Sequence, residues 1–124
     1  MRKAVARVRL PQVRRSKYGA KPTVVDGIRF HSAKEAKRYQ ELKVLLKAGE
    51  IHDLALQPAF DLDVIGGFVK DVRYRIGGYK ADFQYTEWRT GKRIVEDVKG
   101  FKTPLYRWKK KHVEAQYGVQ IREV

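Results

Sequence analysis

Two helix-start signals bracket a strand-rich middle in this chain and leave few folds open. The first is Ser32-Ala33-Lys34-Glu35, an S-x-x-E capping box, with Gly49 as its stop. It predicts a helix from about Ala33 to Ala48, with Tyr39, Leu42 and Leu46 on the buried stripe. Glu35 falls on the same stripe, so its carboxylate points into the protein. It is either the reciprocal partner in its capping box or an acid held there for chemistry. The second signal is Thr103-Pro104, a cap followed by proline at the first helical position. It predicts a helix to about Gln116, with Gly118 past the end.

The remaining segments have strand length. Thr23–Val25 and Ile28–Phe30 flank an Asp26-Gly27 turn. Leu54–Leu62 reads as one strand whose Pro58 marks an edge or a bulge. A strand at Val72–Ile76 lies between the pairs Gly66-Gly67 and Gly77-Gly78. Tyr79–Trp88, a turn at Arg89–Lys92, and Arg93–Lys99 form a hairpin, and Gln120–Val124 is a last short strand.

Charge bounds the partners. The chain has 124 residues, enough for one domain, and 28 lysines and arginines against 14 acids, a net charge of +14. Such an excess favours polyanions, nucleic acid above all, because neutralising phosphates releases condensed counterions. Residues 1–21 carry eight basic residues and no acid. They read as a mobile basic arm, with 22–124 as the single folded domain. No cysteine is present, which excludes disulfides, zinc-thiolate centres and cysteine nucleophiles. No run of 18 apolar residues could span a membrane. The expected compartment is the cytoplasm.

The segment Ile94-Val95-Glu96-Asp97-Val98-Lys99-Gly100 puts three charges into an otherwise buried strand. If the hairpin turns symmetrically about Thr90-Gly91, Asp82 lies opposite Lys99 and Gln84 opposite Asp97. Alternation then gathers Asp82, Gln84, Val95, Asp97 and Lys99 on one face, with Glu96 and Val98 on the other. Two carboxylates that close repel, and a proton or a cation relieves them. Oxygen donors without thiolates suit magnesium or manganese. The bland reading of the same residues is a cross-strand ion pair and a solvated edge.

The run Tyr79-Lys80-Ala81-Asp82-Phe83 followed by Glu96-Asp97-Val98-Lys99-Gly100 resembles the PD-(D/E)XK nuclease superfamily. Asp82 matches its first aspartate, Asp97-Val98-Lys99 its acid-x-lysine, and Glu35 its helical glutamate. Ala81 stands where the motif has proline. From about residue 17 to 124 the chain also resembles small phage-encoded nuclease-like domains of unknown function, with Holliday-junction resolvases among the wider relatives. The resemblance implies an α/β, restriction-endonuclease-like core: a central mixed sheet flanked by helices, in the order α-β-β-β-α-β. It implies an Mg²⁺-dependent endodeoxyribonuclease, with Mn²⁺ as substitute and Asp82, Asp97 and Glu35 as metal ligands. Asp82, Asp97, Lys99 and Glu35 would be its catalytic set. The expected protein is phage- or prophage-encoded and acts in the host cytoplasm as a homodimer on branched or junction DNA. A nicking or flap-type nuclease is the alternative within that class, and a non-catalytic nucleic-acid-binding protein is the alternative outside it.

DNA contacts are expected from Arg14, Arg15 and Lys17 of the arm, and from Lys102, Thr103, Tyr106, Arg107, Lys109 and Lys110 of the second helix. Leu105, Trp108 and His112 follow helical spacing, which reads as the buried stripe of that helix. Gln57, Gln84 and Glu96 are candidates for supporting roles. Gln57 either resembles a glutamine near the active sites of related nucleases or satisfies backbone beside Pro58.

Overall fold

The computed structural model describes residues 22–67, 69–99 and 101–124. The basic arm, with Arg14, Arg15 and Lys17, lies outside the described residues. Two compact units divide within the first helix, one ending at Lys37 and the other spanning Arg38–Val124.

In the first unit, β1 (Thr23–Val25) and β2 (Ile28–Phe30) pair antiparallel, with Val25 opposite Ile28. Asp26 and Gly27 both adopt positive φ, 54° and 73°, which builds the tight turn whose twist matches two antiparallel strands. Helix α1 (Ala33–Lys47) starts in this unit. The Glu35 amide donates to Ser32 Oγ at 3.1 Å, one half of the predicted capping box.

In the second unit, Tyr39 and Leu42 of α1 are buried, as their spacing predicts. There follow β3 (Ile51–Leu56), β4 (Ala59–Ile65), β5 (Arg73–Lys80), β6 (Phe83–Glu87), β7 (Arg93–Asp97), α2 (Pro104–Tyr117) and β8 (Gln120–Glu123). The sheet order is β3-β6-β7-β8, and β4 and β5 form a separate ribbon. Strands β3, β6 and β7 pair antiparallel, and β8 runs parallel to β7. A parallel neighbour requires a crossover, and α2 supplies it. The result is the expected mixed α/β architecture with a mixed sheet and two helices.

Three strand boundaries differ from expectation, and two share one cause. Leu54–Leu62 is not one strand, because the chain breaks at Gln57-Pro58. Tyr79–Trp88 breaks at Ala81-Asp82. Yet the pairing register is the same on both sides, with Leu56 opposite Phe83 and Ala59 opposite Lys80. The two breaks are therefore one kink in a single long antiparallel ladder. Gln57 sits at φ 51°, and Pro58 has no amide to donate. The kink is stitched by Gln57 N–H to the Asp82 carbonyl at 2.9 Å and Ala81 N–H to the Pro58 carbonyl at 3.0 Å. The third difference is Gly77-Gly78, which lies inside β5 instead of punctuating the chain. At Gly78 the Arg75 guanidinium crosses the backbone to pair with Asp61 at 2.8 Å, and a Cβ there would come 2.8 Å from it.

Helix α2 begins as Thr103-Pro104 predicts. Thr103 Oγ1 accepts from the Tyr106 amide at 3.0 Å, and Gly118 closes the helix at φ 65°. Its faces differ from the expected ones, although His112, the third residue of the expected stripe, is half-buried with Nε2 2.9 Å from the Asp63 carbonyl. Tyr106 and Val113 are buried, whereas Leu105 and Trp108 are exposed. Apolar spacing misleads here because the helix seats a tyrosine and a valine against the sheet. Tyr106, Val113, Val95, Ile121, Phe60, Leu62 and Tyr79 belong to one apolar cluster.

Candidate active site

Asp82 occupies the kink just before β6, and Asp97 ends β7. The hairpin register corrects the expected one by two residues: Gln84 lies opposite Val95, not Asp97, and Thr86 opposite Arg93. The cause is the connection. Glu87 N–H bonds the Lys92 carbonyl, and a four-residue loop closes with Gly91 N–H on the Glu87 carbonyl, Gly91 being at φ 68°. A shift of two preserves the face of every side chain. It also brings Asp97, not Lys99, level with Asp82.

The backbone around these residues is tightly held. Asp97 carbonyl accepts from Val124 N–H at 3.1 Å, and Lys99 N–H donates to the Val124 carbonyl at 3.3 Å. The Val98 amide donates to Asp82 Oδ2 at 2.7 Å. The Tyr79 hydroxyl, from the end of β5, donates to Asp97 Oδ2. Lys99 Nζ stands 3.4 Å from Asp97 Oδ1 and 4.2 Å from the centre of the Tyr106 ring. The first turn of α2 therefore abuts the two acids' ammonium neighbour, as the short Lys99-to-Thr103 connection implies.

Asp97 is 2 % exposed. Burial pushes its carboxyl up to about 7; the Tyr79 bond acts in the opposite direction, and the adjacent Asp82 raises it further. Burial, and then the bond to Asp97, raise the Tyr79 phenol far above its ordinary range. Tyr79 thus stays a donor at any physiological pH and fixes one oxygen of Asp97.

Glu96 faces the other way, as strand parity predicts, and is fully buried. Its two oxygens accept from Arg38 of α1, Nε at 2.8 Å and Nη2 at 2.6 Å, a bidentate pair. The Tyr85 hydroxyl donates to Glu96 Oε2. The bond to Glu96 is the largest influence raising the Arg38 guanidinium, and burial first, then Glu96, pushes Tyr85 up to about 12. The supporting role considered for Glu96 is thereby a structural one: it ties α1 to β7.

Glu35 is buried in the first unit, with His31 Nδ1 3.9 Å from its Oε2. Gln57 supports Asp82 through its backbone amide while its side chain is exposed. Gln84 accepts from Arg93 at 3.2 Å. Tyr106, expected on a phosphate-facing side, is buried, and its hydroxyl donates to Glu123 Oε2 at 2.8 Å. Lys102 and Lys110 also pair with Glu123, at 2.9 and 3.4 Å. Lys109 is half-buried, and Arg107 is exposed. Among the described residues no group of three or more histidine, cysteine, aspartate or glutamate side chains is gathered for a metal. The donor set at the hairpin is two aspartates.

Sequence reasoning passed over Tyr79, Tyr85, Arg38 and Glu123. Arg38 had a signal: it lies three residues after Glu35 and four before Leu42, a basic residue on a buried stripe that demands an acid partner. Tyr85 shares strand parity with Phe83, opposite Glu96, which is a usable cue. Residues 15–123 match the family model described as "Protein of unknown function (DUF1064)". No curated protein and no solved structure matches the chain.

Proposed function

The chain belongs to the DUF1064 family, and from that premise we propose that it is a metal-dependent DNA endonuclease of PD-(D/E)XK type with a restriction-endonuclease-like core. The observation that carries the reading is the crowding of Asp82 and Asp97 beside Lys99 at the kinked end of the hairpin. A buried carboxylate beside a second one is an expensive arrangement for a fold to keep. A hard cation relieves it, and two aspartate oxygens without any thiolate fit magnesium or manganese.

Asp82 and Asp97 would hold the ion. When bound, such an ion polarises a phosphoryl oxygen and offers a water of lowered pKa at neutral pH. Tyr79 and the Val98 amide each fix one oxygen of an aspartate, so neither carboxylate has to reorient during reaction. Lys99 would orient the attacking water or offset charge growing on the phosphate. Glu35 would be the third acid of the set, as the resemblance implies.

The net charge of +14 supports a nucleic-acid substrate. Branched or junction DNA, cut by a homodimer, is the substrate that the likeness to compact resolvases suggests. The test is cleavage of supercoiled plasmid and a four-way junction with Mg²⁺, with Mn²⁺ and with chelator. Asp82→Asn and Asp97→Asn are expected to abolish cutting while DNA binding holds or tightens, since each removes negative charge. Normal cutting by both variants removes this site. DNA binding with no cutting under any metal leaves a basic binding protein whose Asp97–Lys99 pair is structural.

A further inference from the structure

The observed facing of α2 leaves an aromatic, basic surface that the hairpin chemistry does not use. Trp108 is 54 % exposed, and Leu105 and Phe101 are comparably open. Around the helix from buried Tyr106 and Val113, Trp108 and Lys111 fall on the opposite side, with Arg107 beside them. The only acid of α2, Glu114, turns inward and accepts from the Ile121 amide at 2.9 Å. The outward side is therefore cationic and uncompensated by acids of its own helix. A large indole on such a face suits an occupant that is anionic and carries flat apolar rings.

We propose that the outward face of α2 binds an unpaired DNA strand, with a base stacked on Trp108 and phosphates at Arg107 and Lys111. The proposal rests on the nuclease reading for its choice of DNA, and it specifies the substrate further: one with unpaired nucleotides next to the cut. Duplex bases are stacked on each other and cannot offer a face to an indole, whereas single-strand binders gain most of their sequence-tolerant affinity from such stacking. The surface belongs to the same first turns of α2 as the acids' ammonium neighbour: Tyr106, two residues before Trp108 and on the buried side of the helix, carries the Lys99 ammonium over its ring.

The experiment uses the full chain in chelator, so that binding is read without cleavage. The chain has two tryptophans, so Trp88→Phe leaves Trp108 as the sole indole reporter. Oligo-dT is expected to quench it, with much weaker quenching by dextran sulfate, which has charge and no rings. Trp108→Ala should weaken oligo-dT binding between about 5- and 150-fold. Trp108→Phe should recover part of that loss, and binding of a blunt duplex should stay within about twofold. Equal oligo-dT affinity for wild type and Trp108→Ala overturns the proposal. So does equal quenching by dextran sulfate, or a Trp108→Ala chain that loses self-association by sedimentation while its oligo-dT affinity holds; in that case the face seats a second copy. Stacking without any cleavage sustains this surface and removes the nuclease. Cleavage with no dependence on Trp108 does the reverse.

Discussion

Glu96 and Asp97 are sequence neighbours, both buried, both carboxylates, and each accepts a hydrogen bond from a tyrosine. What separates them is the rest of the neighbourhood. Glu96 meets a guanidinium in bidentate geometry, and its charge is matched. Asp97 meets another aspartate and a single ammonium at 3.4 Å, and burial drives its carboxyl toward neutrality. One face of β7 has been arranged to hold the fold, and the other tolerates an unfavourable charge. That unmatched charge is what the nuclease proposal rests on.

The pair of isosteric variants Glu96→Gln and Asp97→Asn breaks or sharpens that contrast most strongly. Plasmid cleavage is expected to be lost in Asp97→Asn, since an oxygen that would hold the ion is gone. In chelator, urea unfolding of the same variant should show stability unchanged or raised by up to about 1 kcal/mol, because a buried charge and its repulsion are removed. Glu96→Gln should behave in the opposite sense. Arg38 loses its main partner and keeps only Glu41, so the fold should lose about 3 kcal/mol, toward the low end for a broken buried pair because Arg38 is partly exposed. Its residual activity should track the folded fraction. Were Asp97→Asn the less stable of the two, the functional reading of that face would fail.

The tyrosines give a second, smaller contrast. Tyr79→Phe removes the donor that fixes Asp97 and should cut Mg²⁺ affinity or activity about 10- to 100-fold, with little change in stability. Tyr85→Phe removes a donor to a structural carboxylate. It should cost about 1–2 kcal/mol in urea unfolding and leave the Mg²⁺ dependence of folded protein alone. Exchange of the two phenotypes would mean that the faces have been assigned the wrong way round.

Local chemistry made part of this legible. The Asp26-Gly27 turn, the Ser32 box and the Thr103-Pro104 start each depend on a few adjacent residues, and each lies where the sequence puts it. Strand parity depends only on counting by two, so the placing of Asp82, Asp97 and Lys99 on one face and Glu96 on the other survived a register wrong by two. The register itself depended on where the loop is centred: the expected turn is symmetric about Thr90-Gly91, whereas the loop that forms is residues 88–91, and moving the centre by one residue moves the pairing by two. The kink at Gln57-Pro58 was half visible: Pro58 announced an irregularity, but only tertiary pairing shows that Asp82 sits across from it. The orientation of α2 was misread because Leu105 and Trp108 are more apolar than Tyr106 and Val113 taken with Lys109 and Lys110. Burial of Tyr106 is decided by a long-range partner, Glu123, that no local spacing reveals.

Glu123 also supplies the smallest test, because it shows what a carboxylate beside α2 looks like when its charge is matched. It lies level with Asp97 on the parallel strand β8. The Lys102 bond, followed by that from Tyr106, holds its carboxyl down to about 2 against an ordinary 4.5. A carboxyl lowered by folding favours the native state in its ionised form. Its contribution is therefore whole above about pH 4.5 and drains away as pH falls through about 2. The gap in urea midpoint between wild type and Glu123→Gln should be flat from pH 8 to 5 and close on further acidification. The group is partly exposed and its partners are flexible lysines, so the gap should stay below about 1 kcal/mol and shrink in high salt. A gap that widened on acidification would reverse the sign. It would mean that Glu123, like Asp97, carries a charge the fold only tolerates, and the contrast between matched and unmatched acids on this face would be lost.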